Sequence, residues 1–371
     1  MVTLGIHLPV ILWTFWAFVV GTCVGSLLNV CIARLPLEKS IVWPSSHCGS
    51  CFQPIRWYDN IPLLSYWILR GRCRNCGAPF SVRYFFVELG TGIGFAALFY
   101  LEIVANIHAL PFIVNQQWNI RAGWVPWQGW LFWAHHAALL SLLIVAAACD
   151  LNGRVIPLSL TMFGTGLGLI GAIAFPWPWP NDLTMPNMLP PPGQPWWLAP
   201  PNSIGQGLYP WPIWGPLPAW MPLGGHLAGL ATGGAGIIVG TWLLRGVRTV
   251  FSRGLGQEAL GLGDADLMMM AGAFLGWQPV VVAFFLGALV TLGFAIGQLI
   301  IYRDNTLPFG PGLAAGIVIT WLCWRWIGPA AQLLLFNEWL MLGALVFGAG
   351  FMFVSSAFLR GIRPREPKVP A

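Results

Sequence analysis

Long apolar segments separated by short polar ones make up most of this chain. Most of them can cross the roughly 30 Å of hydrocarbon in a bilayer as a helix. They run from about Leu8 to Val30, Tyr84 to Ile103, Trp130 to Cys149, Ile156 to Phe175, Gly224 to Leu244, Leu267 to Tyr302, Leu313 to Ile327 and Trp339 to Leu359. The run from Leu267 to Tyr302 is too long for one simple span, so we expect two short helices or a half-helix followed by a full one. The pattern predicts an all-α polytopic membrane protein with about eight or nine transmembrane helices.

Composition excludes a soluble globular protein, since 57% of the residues are hydrophobic and 8% are charged, with a mean hydropathy of +0.71. The first apolar run has no basic region ahead of it, so we interpret it as a retained first helix rather than a signal peptide. The net charge of +6 comes mostly from arginines that flank apolar segments. We therefore expect a lipid bilayer around the chain and no nucleic-acid partner.

The distribution of basic residues predicts the orientation. Residues 31–83 contain Arg34, Lys39, Arg56, Arg70, Arg72, Arg74 and Arg83 against only Glu38 and Asp59. Residues 176–222 contain no Lys or Arg. The positive-inside rule places the first segment in the cytoplasm and the second outside. Counting spans from there puts the turn from Asp150 to Arg154 and the connection from Arg245 to Asp264 in the cytoplasm, and a cytoplasmic basic tail favours nine crossings.

The same pattern divides the chain into regions. We predict a first transmembrane helix at 1–30, a cytoplasmic four-cysteine domain at 31–83, a membrane peptidase domain at 84–359 and a basic cytoplasmic tail at 360–371. The insertion at 176–222 is dense in Pro and Trp, which excludes a regular helix or a central strand there. It is either an extracytoplasmic loop with Trp rings at the interface or a binding platform for an exported partner.

Two Cys-x-x-Cys pairs, Cys48 with Cys51 and Cys73 with Cys76, have 21 residues between them. This spacing is typical of a tetrahedral zinc site with four thiolate ligands, which leaves no open position and is therefore structural. A cytoplasmic location disfavours disulfides. The alternative is that the four cysteines bind no metal.

Two carboxylates stand where apolar runs meet polar sequence. Asp150 lies within Ala147-Ala148-Cys149-Asp150-Leu151, and Asp264 ends Gly261-Leu262-Gly263-Asp264. Ionisable groups at membrane depth usually serve a function, and two carboxylates in one site can share a proton and activate water, as in aspartic proteases. The glycines would let the backbone approach a substrate strand.

Structural roles compete with catalysis at each of these acids. Asp264 could be the N-cap of the helix that follows, and Asp150 could pair with Arg154 four residues on. Asp266 is most simply a first-turn acid at a positive helix end. The adjacent His135 and His136 point about 100° apart on a helix, so we interpret them as interfacial or core residues rather than ligands of one ion.

Several motifs together resemble those of type IV prepilin peptidases. They are Gly25-Ser26-Leu27-Leu28-Asn29-Val30, Arg34-Leu35-Pro36, the segment from Pro44 through Trp57-Tyr58-Asp59-Asn60-Ile61-Pro62 to Cys73, Arg83-Tyr84-Phe85-Phe86-Val87-Glu88-Leu89, the Asp150 turn ending in Ile156-Pro157, the Gly-x-Gly-Asp element, and Leu307-Pro308-Phe309-Gly310-Pro311-Gly312. The resemblance covers nearly the whole chain apart from the Pro/Trp-rich insertion.

The resemblance implies an enzyme of the bacterial inner membrane that removes the short basic leader from prepilins and pseudopilins. It then implies methylation of the new amino terminus with S-adenosylmethionine. Asp150 and Asp264 match the family's proteolytic aspartates. No glycine-rich nucleotide fingerprint follows a strand, so we expect the cofactor against the domain at 31–83. Asp59 and Glu88 are candidates to hold a sulfonium or an amine, and each could equally balance nearby arginines.

Three positions depart from the family pattern: Asn152 replaces an acidic residue, Leu158 follows Ile156-Pro157 in place of Asp, and Asp266 replaces a Lys. An added carboxylate near the catalytic pair is expected to shift its titration by like-charge repulsion. Two other functions remain open: a Gly-x-Gly-Asp intramembrane protease that lacks methyltransfer, and a non-enzymatic zinc-bearing component of a membrane assembly or transport system.

Overall fold

The computed structural model describes residues 2–108, 110–174, 220–221, 225–256, 261–301, 309–335 and 337–362. These ranges are almost entirely helical and contain no strand. The α-helices are α1 Val2–Arg34, α2 Leu64–Ile68, α3 Arg83–Leu98, α4 Pro111–Val114, α5 Gln117–Arg121, α6 Trp127–Leu151, α7 Leu158–Ala174, α8 His226–Leu255, α9 Leu262–Leu275, α10 Trp277–Ile301, α11 Phe309–Leu335 and α12 Glu338–Ile362. The predicted insertion at 176–222, apart from Trp220 and Met221, and the tail beyond Ile362 lie outside the described residues.

Six helical segments within these ranges are long and apolar enough to cross a bilayer: Leu8–Leu37, Arg83–Val104, Trp127–Leu151, His226–Leu255, Trp277–Gly297 and Trp339–Phe358. The all-α polytopic class is thereby confirmed, and the count of eight or nine crossings stays a prediction. The long run from Leu267 divides at Gly276, whose φ of +85° favours glycine. It forms the short helix α9 followed by the long helix α10.

Helices α1 and α3 pack closely because small residues face each other. A Cβ added at Gly25 would lie 2.7 Å from the Cα of Glu88, and one at Gly21 would lie 2.8 Å from the Cα of Gly92. Such glycines let two membrane helices approach backbone to backbone. The segment between α1 and α3, which contains all four cysteines of the two pairs, is thus held at one end of this helix pair.

Glycine contacts also fix the position of α9 against α8. A Cβ at Gly236 would lie 2.0 Å from the carbonyl oxygen of Gly272, and a Cβ at Gly272 would lie 2.1 Å from the carbonyl oxygen of Gly236. Most of α9 is buried, from Gly263 in its first turn to Leu275, its last residue. The first turn of α9, which carries Asp264, is therefore held rigidly inside the bundle.

A polar cluster joins the carboxyl-terminal end of α3 to the first half of α6. Helix α3 continues into a π-helical turn, Phe99–Val104, whose Glu102 is fully buried. The Nδ1 atom of His136 lies 2.7 Å from Glu102 Oε1, and Nε2 of His108 lies 3.4 Å from the same oxygen. His135 stacks on Phe274 with ring centroids 4.5 Å apart. The histidine pair thus contacts core groups on two different helices.

Candidate active site

Asp150 stands in the last turn of α6, immediately before a sharp helix end. The amide of Gly153 donates to the carbonyl of Asp150 at 2.8 Å, and the amide of Arg154 donates to the carbonyl of Cys149 at 3.0 Å. This is the Schellman arrangement, in which the residue after the helix takes the left-handed conformation. Gly153 does so, with φ of +65°. The stop leaves the Asp150 side chain partly exposed at the end of α6.

The amino-terminal end of α11 faces this carboxylate. The backbone amide of Gly310, the second residue of α11, donates to Asp150 Oδ2 at 2.8 Å. Amides in the first turn of a helix have no partner within the helix and carry a partial positive charge. A Cβ added at Gly310 would lie 2.8 Å from the same Oδ2 atom. Glycine is therefore required for the amide to reach the carboxylate.

Asp264 is the third residue of α9 and is 7% exposed. Gly261 is the N-cap of that helix, so the alternative in which Asp264 is the N-cap is wrong. The backbone amide of Gly261 is instead hydrogen-bonded to the Asp264 carboxylate, as when a side chain at the third position reaches back to the cap. Asp150 and Asp264 are near enough to interact electrostatically. The structure thus brings the two acids into one site.

The second glycine of the Gly-x-Gly-Asp element serves packing within the chain. A Cβ at Gly263 would lie 3.0 Å from the Cβ of Ile156, so this glycine lets α9 approach the turn between α6 and α7. The sequence predicts that this glycine faces a substrate strand, but its nearest contacts are with Ile156. Leu158, one of the departures from the family pattern, is the first residue of α7 and is 58% exposed.

Two arginines attach the Asp150 turn to α1 and α3. The Arg154 guanidinium donates to the carbonyls of Ile32 and Ala33, at 3.4 and 3.5 Å, in the last turn of α1. The proposed pairing of Arg154 with Asp150 is thus replaced by a cap on the carboxyl end of another helix. Arg83, the first residue of α3, donates to the amide oxygen of Asn152. The departure at Asn152 therefore keeps a hydrogen-bond acceptor.

Asp266 forms an ion pair with α8. Its Oδ1 lies 3.6 Å from Nη2 of Arg245, and its side chain is 15% exposed. The electrostatic interaction found at Asp264 comes from Asp150. The carboxylate at position 266 is therefore balanced by an arginine, and its effect on the titration of the pair stays a prediction.

The four cysteines of the two pairs converge in space, with sulfur atoms all within 4.8 Å of one another. The Sγ atoms of Cys48 and Cys76 are 3.8 Å apart. Tetrahedral zinc with Zn–S bonds of about 2.3 Å requires S–S distances of about 3.8 Å. Backbone amides of Cys51 and Ser50 lower the pKa of the Cys48 thiol to about 6, whereas burial and the neighbouring sulfurs raise the pKa of Cys76 to about 11, so Cys48 is the sulfur that most readily forms the thiolate that binds metal. The donor set fits a structural zinc ion.

The two knuckles share one backbone plan. In the first, the amide of Cys48 donates to the carbonyl of Gln53 and the amide of Phe52 donates back to Cys48. In the second, Cys73 donates to Ala78 and Gly77 donates back to Cys73. The corresponding residues Phe52 and Gly77 both have positive φ, 56° and 73°. Each turn directs its two sulfurs toward a common centre, although glycine occupies the position with positive φ only in the second.

A cavity of about 640 Å³ separates the knuckles from the end of the α1–α3 pair. Its wall includes Ser26, Asn29, Asp59, Tyr66, Tyr84 and Glu88. Sites for small molecules usually have volumes of about 300–1,000 Å³. The wall combines aromatic rings with carboxylates and with Arg34, so its lining suits a ligand that has an aromatic part and charged groups.

The two carboxylates of the cavity differ in their partners. Asp59 receives three short contacts from Arg74, between 2.6 and 3.1 Å, and this guanidinium lowers the pKa of the Asp59 carboxyl. Glu88 accepts the backbone amide of Leu63 at 2.8 Å. Asp59 therefore balances an arginine, as one alternative held, whereas Glu88 anchors the loop before α2 and forms part of the cavity wall.

Comparison with known families matches two separate segments of the chain. Residues 19–101 match the bacterial peptidase A24 N-terminal domain, and residues 212–296 match the type IV leader peptidase family. The first match covers the α1–α3 pair with the knuckles and the cavity. The second covers α8, α9 and Asp264.

Several curated proteins named prepilin leader peptidase/N-methyltransferase are similar to the chain. The one from Myxococcus xanthus is 33% identical over 320 residues, which cover 84% of this chain and 72% of the relative. That from Klebsiella pneumoniae is 31% identical, covering 72% and 88%, and that from Aeromonas hydrophila is 27% identical, covering 85% and 91%. No solved structure matches the chain at a comparable level.

Proposed function

This chain belongs to the type IV leader peptidase family, and on that premise we propose that it cleaves the leader from prepilins and pseudopilins and N-methylates the new amino terminus. The observation that carries the proteolytic half is the meeting of Asp150, Asp264 and the Gly310 amide. The observation that supports the methyltransferase half is the cavity bounded by the knuckles, α2 and the α1–α3 pair.

The two carboxylates have unequal surroundings, which suits two unequal roles. Asp150 is partly exposed and accepts the Gly310 amide at a positive helix end, which stabilises its ionised form. Asp264 is almost fully buried, and burial beside another carboxylate favours a shared proton. Asp150 is then the general base that takes a proton from water, and Asp264 is the general acid.

The reaction follows from those roles. The water oxygen bonds to the scissile carbonyl carbon while its proton passes to Asp150 and the Asp264 proton passes to the carbonyl oxygen. Collapse of the tetrahedral intermediate breaks the C–N bond as Asp150 gives its proton to the leaving amine and a hydroxyl of the intermediate returns a proton to Asp264. The product carries a free amino group, which is the required acceptor for methylation.

The cysteine cluster would hold zinc in a structural role, because four thiolates fill its coordination sphere. S-adenosylmethionine supplies a methyl group when it is bound. Glu88 would hold the cationic end of this cofactor or the substrate amine, and Tyr66 and Tyr84 would contact the ring system from the cavity wall. The knuckles keep the loop and α2 in place over the cavity.

The orientation belongs to the same proposal. Basic residues concentrate between α1 and α3, and the catalytic pair lies at that end of the bundle, joined to it through Arg83 and Arg154. By the positive-inside rule this end faces the cytoplasm of a bacterial inner membrane. The scissile bond would be cut where the substrate helix leaves the bilayer.

Mass spectrometry of a prepilin substrate co-reconstituted with the enzyme in lipid tests the proteolytic half. We expect leader loss and one added methyl group with the intact enzyme, and no cleavage with Asp150→Asn or Asp264→Asn. Asp266→Asn is the matched control, because it removes the same charge two residues further along α9, where the side chain meets Arg245, and should leave cleavage intact. Cleavage that survives either variant of the pair would refute the assignment.

A synthetic peptide with the mature amino terminus separates the two activities. We expect Glu88→Gln to lose methylation of this peptide while leader cleavage continues, and both variants of the catalytic pair to methylate it normally. Cleavage without any methylation by the intact enzyme would instead support the peptidase that lacks methyltransfer.

A further inference from the structure

One face of α2 is apolar and exposed although this helix lies outside the candidate spans. Leu64, Trp67 and Ile68 occupy positions i, i+3 and i+4 of α2, which share one side of a helix. Their exposed fractions are 58%, 68% and 65%. We refer to these three residues as the outer face of α2. Clustered apolar exposure of this kind marks an interaction surface.

The other face of the same short helix lines the cavity. Ser65 is buried, and Ser65, Tyr66 and Leu69 all contribute to the cavity wall. Helix α2 therefore forms one wall of the cavity with one side and exposes the outer face on the opposite side. Whatever covers the outer face also sets the position of that wall.

The outer face is continuous with the point where α3 enters the bilayer. The ring of Trp67 packs edge-on against Phe85, with centroids 5.8 Å apart. Phe85 is the third residue of α3 and lies at the start of the candidate span Arg83–Val104. The next residue, Phe86, is 61% exposed and contacts Phe85. Tryptophan at such a position is typical of the membrane–water interface.

Exposed positive charges follow this apolar surface directly. Arg70 and Arg72 come within four residues of Ile68, and both are exposed. Lys and Arg beside a membrane surface are attracted to anionic lipids. The proposed basic leader of a prepilin would be repelled by the same charges, so the outer face is not suited to bind it.

We propose that the outer face of α2 inserts among the headgroups and upper acyl chains of the adjacent leaflet, and that Arg70 and Arg72 bind anionic phospholipid there. Trp67 and Phe85 then form one interfacial layer with the start of α3. The cavity is held against the bilayer surface, where the amino terminus of a membrane-anchored substrate emerges. Only this last consequence rests on the proposed function.

Photo-labelling of the full-length protein in lipid nanodiscs tests the proposal independently of activity. The probe is phosphatidylglycerol with a diazirine high on one acyl chain, and adducts are located by peptide mass spectrometry. We expect adducts on the peptide that contains residues 64–68, along with adducts on the apolar helix α12, which serves as the internal control. Labelled α12 with an unlabelled α2 would overturn the proposal.

Paired variants separate the apolar from the electrostatic part. Trp67→Ser with Ile68→Ser should remove the α2 adducts and leave those on α12. Arg70→Gln with Arg72→Gln should abolish the preference for phosphatidylglycerol over phosphatidylcholine, whereas Arg56→Gln, which removes an exposed charge next to Tyr58, should not. If added prepilin, and not lipid, proves to cover the outer face of α2, the face is assigned to the substrate and the lipid contact is refuted.

Discussion

The amide of Gly310 offers the sharpest test of how the catalytic pair is held. Replacing Gly310 with Ala puts a methyl carbon 2.8 Å from Asp150 Oδ2 and 3.1 Å from both Cβ and Cγ of Asp150. Carbon and oxygen cannot stay that close, and Gly310 is buried near the start of α11. The Asp150 side chain must therefore turn away, and the 2.8 Å hydrogen bond that orients it is lost.

The cost follows from the hydrogen bond that is broken. A hydrogen bond to a charged group contributes about 1.5–3 kcal/mol. If this energy is needed to place the general base in the transition state, cleavage slows by about 10- to 150-fold, because each 1.36 kcal/mol is a factor of ten in rate. The loss should fall on the chemical step, since Gly310 faces Asp150 and not the cavity.

Single-turnover cleavage of a prepilin in lipid, followed by mass spectrometry, measures this rate. Gly343→Ala is the matched control, because its added Cβ meets no other atom within 4 Å. Methylation of a mature-terminus peptide reports whether the Gly310→Ala protein is folded. If that variant methylates normally and also cleaves as fast as the control, the Gly310 amide does not orient the base and the reasoning fails.

Three further predictions concern packing, metal and charge. Gly236→Ala should destabilise the α8–α9 contact by about 1–3 kcal/mol through overpacking. Its unfolding midpoint should be lower than that of Gly234→Ala, a control whose added Cβ meets nothing within 4 Å. Equal midpoints would contradict the close approach of the two helices. Cys73→Ser should reduce bound zinc well below that of the intact protein by elemental analysis, and unchanged zinc would exclude the four-thiolate site. Reversing the charge of Arg245 or of Asp266 alone should destabilise the protein by up to about 1 kcal/mol, and reversing both should restore stability, whereas additive losses would show that the two do not interact.

The features that the sequence reveals are those that depend on short spacing. Two Cys-x-x-Cys pairs predict a four-sulfur cluster because each pair is a local turn, and the structure brings the four sulfurs together. The length of the run from Leu267 to Tyr302 predicts that it divides into two helices, and the structure places the division at Gly276. Asp150 and Asp264 could be singled out as costly charges at the ends of apolar runs.

The features that the sequence hides depend on contacts between distant segments. No local signal indicates that Arg154 caps α1 instead of pairing with Asp150, or that Asp266 meets Arg245. Glu102 gives no sign that it meets His136, because 34 residues separate them along the chain. Gly310 lies within the motif Pro-Phe-Gly-Pro-Gly, which the sequence alone singles out. Only the packing of α11 against the end of α6 explains why this position requires a glycine.

The connections around α6 suggest why both activities reside in one chain. The Asp150 turn is held by Arg154 on α1 and by Arg83 on α3, and the same two helices form the floor of the cavity. Because methylation needs the amine that cleavage releases, a substrate must pass from the carboxylate pair to the cavity in that order. A shared support fixes the two sites relative to each other at one membrane surface. The cleaved substrate can then present its new terminus by a short displacement of a flexible end, while its hydrophobic helix stays in the bilayer.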